Sequence, residues 1–86
     1  MKKKAKWELY IIQTKSNKLY TGITTDLDRR FADHKNGRKG AKFFRFSEAE
    51  SILYRETHPN RSVASKRESQ IKKMSLDQKL SLIKAL

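Results

Sequence analysis

The sequence predicts an α+β domain whose elements run in the order ββαβαα. Three observations lead there. Two runs of aromatic and branched residues are parted by a short polar stretch, a charged amphipathic segment ends near a glycine, and two later segments carry helical apolar spacing.

The first run, KWELYIIQT (Lys6 to Thr14), and the second, KLYTGI (Lys18 to Ile23), flank the polar turn KSNK and read as a β-hairpin. Gly22 inside the second run marks a bend or a close backbone approach. TTDLDRRFADHKNG then reads as a helix, with Thr25 as N-cap and Asp26 and Asp28 in the first turn. Leu27 and Phe31 lie four apart on its buried face, and Gly37 supplies the stop. RKGAKFFRF is a basic and aromatic connector, and ESILYRE (Glu50 to Glu56) reads as a third strand. After the break THPNRS, Val63, Ala64, Ile71 and Met74 repeat with helical spacing behind Asn60 or Ser62 as cap. Ser75 with Gln78 forms a capping-box pattern, opening a last helix whose expected buried stripe is Leu76, Leu80 and Ile83.

Eighty-six residues make a single domain, 1–86, with a basic tail at 1–6 and a C-terminal helix at 75–86. A chain of this size buries only roughly 60–65% of the surface its unfolded form exposes, so one modest core is expected. With no cysteine, neither disulfides nor thiolate zinc sites hold it together. The chain has no apolar run of bilayer length, and its basic start leads into a strand pattern without a cleavage site. A soluble, cytoplasmic protein without a membrane partner is therefore expected. Charge is the loudest global feature: 21 Lys and Arg against 9 Asp and Glu give a net +12. That excess favours polyanionic partners, nucleic acid first.

One stretch carries the chemistry. A tyrosine in each strand of the hairpin, Tyr10 in ELY and Tyr20 in YTG, is followed by Gly22 and by a helix bearing Arg30 and His34 four apart. Near the end comes ASKRESQIKKM with Glu68. In this order the residues resemble the GIY-YIG nuclease domain, and KGAKFF resembles the small stand-alone bacterial members. The resemblance runs from about Trp7 to Met74. Glu8, Leu9 and Thr21 depart from the signature at strand positions, which set packing rather than chemistry.

The resemblance implies a small three-stranded antiparallel sheet flanked by helices and a metal-dependent endonuclease acting on DNA, in the setting of DNA repair or recombination. It assigns Arg30 to the phosphate oxygens, where a permanent forked cation is well matched. Glu68 would hold one Mg²⁺ or Mn²⁺, as a lone carboxylate suits an ion that keeps most of its waters. Tyr20 would act as general base, with Tyr10 positioning the water or phosphate, and His34 would relay a proton or orient a tyrosine. Gly22 would let helix and phosphate approach the strand backbone. Relatives of this core often take target choice from an attached DNA-binding domain, so a protein partner for targeting is a further expectation. The oligomeric state stays open.

Ordinary structural roles compete for the same residues. Tyr10 and Tyr20 suit cross-strand aromatic pairing. Asp26–Arg30, Arg29–Asp33 and Glu68–Lys72 all have i,i+4 spacing, worth about 0.2–0.5 kcal/mol each on a helix. His34 sits in a last helical turn, where an imidazolium suits the dipole. It is the ordered set, not any single residue, that favours chemistry. For nucleic-acid binding the candidates are Arg29, Lys35, Arg38, Lys39, Lys42 and Arg45, interleaved with Phe43 and Phe44. The alternatives are a catalytically weak or inactive DNA- or RNA-binding module of the same fold, and a small RNA-packing protein whose helices only present lysines.

Overall fold

The computed structural model describes residues 6–36 and 49–85. Strands β1 (Trp7–Thr14), β2 (Leu19–Thr24) and β3 (Ala49–His58) form one antiparallel sheet in the order β2-β1-β3. Helices α1 (Leu27–Asn36), α2 (Arg61–Lys72) and α3 (Leu76–Lys84) complete the expected ββαβαα order. Gly37, the basic-aromatic connector and most of the N-terminal tail lie outside the described residues.

The central strand explains its own composition. Leu9, Tyr10, Ile11 and Ile12 are all buried, because β1 is covered on both faces. On one face Tyr10 and Ile12 join Leu27 and Ala49, with Tyr20, Phe31 and Ile52 packed against them. On the other, Leu9 and Ile11 join Tyr54 and Ile71, backed by Leu19, Ile23, Met74, Leu82 and Ile83. The sheet is thus the middle layer between α1 and the α2–α3 pair. The hairpin turns through Asn17, whose φ of 66° lies in the left-handed region that asparagine tolerates. Thr14 closes the turn, its backbone N–H bonding the Lys18 carbonyl at 2.9 Å and its hydroxyl accepting from the Lys18 N–H at 3.1 Å.

Two local expectations are corrected. The N-cap of α1 is Asp26 rather than Thr25: its carboxylate accepts from the Arg29 N–H at 3.2 Å, and its carbonyl accepts from the Arg30 N–H at 3.0 Å. Thr24 intervenes, its hydroxyl accepting from the Asp26 N–H and tightening the entry by one residue. The stripe proposed for α3 also differs, since Leu76 is 60% exposed and Leu80 37%. Ile83 packs on the core as read, joined by Leu82 in place of the other two. Helical spacing fits both stripes, and the docking of Ile71 and Met74 just upstream chooses between them. The other caps are as read: the Asn60 side chain accepts from the Val63 N–H, and Ser75 with Gln78 closes a reciprocal capping box.

Polar brackets join the layers. Glu56 on β3 accepts from Arg67 of α2 at 3.0–3.1 Å, from His58 at 2.9 Å and from the Tyr54 hydroxyl. Burial would push its carboxyl up, but these donors hold it below the usual carboxylate range. Among the described residues Thr21 Oγ1 is buried without a hydrogen-bond partner. An unpaired buried hydroxyl costs roughly 1–3 kcal/mol, so Thr21→Val is expected to raise stability by about 1 kcal/mol. A higher urea midpoint at unchanged slope is the measurement that checks it.

Candidate active site

The site begins with a missing side chain. Tyr10 on β1 stands opposite Gly22 on the edge strand β2. Its ring lies over the glycine: an alanine Cβ there would stand 2.6 Å from Cζ of Tyr10, closer still to its hydroxyl, and 3.1 Å from the Tyr20 ring. Gly22 therefore has a structural use that the sequence did not show: it makes room for the Tyr10 phenol.

Around that phenol three rings gather. The Tyr10 and Tyr20 centroids are 6.3 Å apart, Tyr10 and His34 6.0 Å, and Tyr20 and His34 5.4 Å in an edge-on contact. The Tyr10 hydroxyl and Nε2 of His34 are hydrogen-bonded at 3.0 Å. Arg30, one helical turn before His34, also hydrogen-bonds the Tyr10 side chain. A guanidinium only donates, so the phenol oxygen accepts from Arg30, while the tautomer of His34 sets which partner donates in the bond to Nε2.

The electrostatics agree with a neutral pair. Burial and the neighbouring Tyr20, with a smaller push from Glu68, raise the Tyr10 hydroxyl to about 12 against the pull of Arg30. Burial and the Arg30 charge take His34 down to about 4, with Asp33 opposing. Both side chains are only 1% exposed. Tyr20 and Arg30 are half-buried and reach the surface. Beside them a shallow hollow is lined by Thr24, Asp26, Arg29, Arg30 and Asp33.

Glu68 comes from the far layer. It lies on α2, which packs against β2, and its charge is felt at Tyr10. Its side chain is 21% exposed and holds Lys72 at 3.2 Å, the i,i+4 pair read from the sequence. The structure thus gathers Tyr10, Tyr20 and His34 beside Gly22, with Arg30 at the Tyr10 hydroxyl, and the Glu68 charge reaches Tyr10 from α2. Arg29 and Lys35 are exposed on α1, whereas Arg38, Lys39, Lys42 and Arg45 lie outside the described residues. Sequence reasoning missed the bracket between Glu56 and Arg67, which holds the α2 turn carrying Glu68. The partners are 11 residues apart on different elements, and no local spacing signals them.

Two expected outcomes follow from this geometry. Gly22→Ala must displace a buried, doubly hydrogen-bonded phenol, so a loss of about 1–3 kcal/mol by urea unfolding is expected. His34 titrates near 4 when folded but near its ordinary 6.5 when unfolded, so the unfolded chain takes up the proton first as pH falls. The His34 contribution is complete above about pH 6.5 and is lost progressively towards pH 4. Urea midpoints measured between pH 7 and 4.5 should fall more steeply for the native chain than for His34→Gln.

Comparison with known proteins gives a consistent picture. The family model described as the GIY-YIG catalytic domain matches residues 6–81. UPF0213 protein DP2720 of Desulfotalea psychrophila is 46% identical over 79 residues, spanning 92% of this chain and 72% of that protein. UPF0213 protein YhbQ of Escherichia coli K12 is 42% identical over 77 residues, spanning 90% and 76%. Among solved structures, the solution NMR structure of UPF0213 protein BH0048 from Bacillus halodurans is similar, with a TM-score of 0.58 and 25% identity. The match covers 93% of this chain and 84% of that one.

Proposed function

We propose that this chain, which belongs to the GIY-YIG family, is a metal-dependent endonuclease that hydrolyses DNA phosphodiester bonds. One observation carries the reading: partly exposed Tyr20, Arg30 and Glu68 arrive from three elements beside a buried, neutral Tyr10–His34 pair. Members of the family are usually endonucleases.

Arg30 would bind the scissile phosphate, its guanidinium stabilising the charge that grows on the phosphorus oxygens. Tyr10 is buried and holds its proton tightly, so it is a positioning residue. Fixed by Gly22 and His34, its oxygen accepts from Arg30 and aims the guanidinium. Tyr20, partly exposed, would accept the proton of the attacking water while its own phenolic proton passes to solvent. Glu68 would hold one Mg²⁺ or Mn²⁺. It fits that task as a half-buried carboxylate that already draws a cation, Lys72. Among the described residues no group of three His, Cys, Asp or Glu side chains could hold an ion, so the ion proposed here would keep waters and take substrate oxygens. When bound, such an ion supplies positive charge against the leaving oxygen. Arg29 and Lys35, with Arg38, Lys39, Lys42 and Arg45, would grip the flanking phosphates.

No described helix is long and apolar enough to cross a membrane. A cytoplasmic setting, DNA repair or recombination as the source of substrate, and a protein partner for targeting belong to the same proposal.

Supercoiled plasmid incubated with Mg²⁺ or Mn²⁺ is expected to be nicked. Arg30→Ala should lower the rate by about 10²–10³-fold, the usual effect of removing a charge-stabilising donor. Glu68→Ala should remove both the rate and its dependence on the ion. Cleavage that survives both substitutions would refute the assignment. A wild-type chain that binds DNA but never nicks it would leave the binding module of the same fold.

A further inference from the structure

The outer side of α2 has no part in the site just described, yet its chemistry is one-sided. A surface hollow is lined by Arg61, Ser62, Ser65, Lys66 and Ser69, and so contains two cations, three hydroxyls and no carboxylate. All five residues are exposed, and the first turn of α2 carries no acidic residue. Arg61 is not loose at its end of the helix, because its guanidinium lies 5.7 Å above the centre of the Trp7 ring.

The placement of this hollow relative to Glu68 is set by helix geometry. At about 100° per residue, Arg61, Ser65 and Ser69 lie roughly 20°, 60° and 100° from Glu68 around the axis. They are on the side away from the buried Ala64 and Ile71. The row therefore starts at the edge where Glu68 stands and opens outward to Lys66. From Arg61 to Ser69 it runs about 12 Å along the axis at 1.5 Å per residue. Phosphates of one strand rise roughly 3.4 Å each along the duplex axis but lie about twice that apart along the winding backbone, so the row can meet two or three consecutive phosphates. Serine hydroxyls donate to phosphate oxygens without reading a base, and Arg61 and Lys66 supply the charge.

We propose that this face of α2 is a docking track for the sugar–phosphate backbone of the nucleic acid that occupies the site, on the strand leading away from Glu68. The assignment rests on the nuclease reading only in naming the occupant, since it concerns binding and requires no cleavage. It adds Arg61, Lys66 and three serines to the nucleic-acid contacts, all in a segment that the basic cluster after α1 does not include. The hollow positions substrate and discriminates no sequence.

The test is binding of a fluorescently labelled DNA duplex in EDTA, read by anisotropy across a salt series, with the sole tryptophan as a second readout. In the native chain the duplex should change Trp7 emission, because a phosphate that engages Arg61 alters the cation above the indole. Arg61→Gln with Lys66→Gln should reduce the slope of log affinity against log salt by roughly 1.8, and affinity at 50 mM salt by about a hundredfold. Arg61→Lys with Lys66→Arg should retain the slope. Both pairs are exposed changes, so urea midpoints should agree within about 0.5 kcal/mol. Unchanged slope and affinity in the glutamine pair would overturn the track while leaving the nuclease reading standing. A native chain that binds no duplex at any salt would overturn both, and loss of nicking in Arg30→Ala bears only on the latter.

Discussion

The Tyr10 phenol is held from three directions, and most of the site follows from that. Beneath it, Gly22 offers no side chain, so the ring can cross to the edge strand. At its oxygen, His34 and Arg30 meet from successive turns of one helix. A phenol so deeply buried must have its hydroxyl paired, and the partner must be neutral if Arg30 is to remain close. His34 meets that need because burial and the guanidinium together keep it from taking a proton. The same arrangement decides which tyrosine can reach a substrate: Tyr10 is sealed in, and Tyr20 is not.

A three-layer domain of this size has few places where both outer layers can reach one point. The sheet separates α1 from α2 and α3 everywhere except at its margins, and β2 is a margin. Tyr10 reaches across it from one face, while Glu68 approaches from α2, which packs against that strand. For this to be reproducible, α2 must be set in angle as well as contact. Ile71 seats it in the core, and the Arg67 fork on Glu56 sets its rotation. The adjacent residue on the helix is the carboxylate proposed to hold a metal ion. A part-buried charge-assisted bond of this kind supplies orientation more than stability, since drawing two charges away from water offsets much of their attraction.

Charge ties these parts to a partner. A net +12 on 86 residues opposes compaction, and neither i,i+4 pairs nor the Glu56 bracket offsets it. A polyanion would. Four of the described cations line two hollows, Arg29 and Arg30 on α1 and Arg61 and Lys66 on α2. A scissile phosphate at the β2 edge would have basic surface on either side of it.

How much of this could be read from the chain depends on distance along it. Element order, the Asn60 cap, the Ser75–Gln78 box and the Glu68–Lys72 pair are decided within a few residues, where backbone sterics and short-range hydrogen bonds dominate. The same local physics misled at Thr25, where two adjacent residues could each cap the helix and Thr24 selected the other. Tyr10, Tyr20, Arg30, His34 and Glu68 could be singled out only through the resemblance of their order along the chain to the GIY-YIG pattern. Their division of labour could not be read that way. Burial of one phenol, the neutrality of the imidazole, the structural use of Gly22, the exposed side of α3 and the grip of Arg67 on Glu56 all arise between elements brought together only by packing. Desolvation and contact across the sheet have no counterpart in the order of residues, so tertiary structure alone decided them.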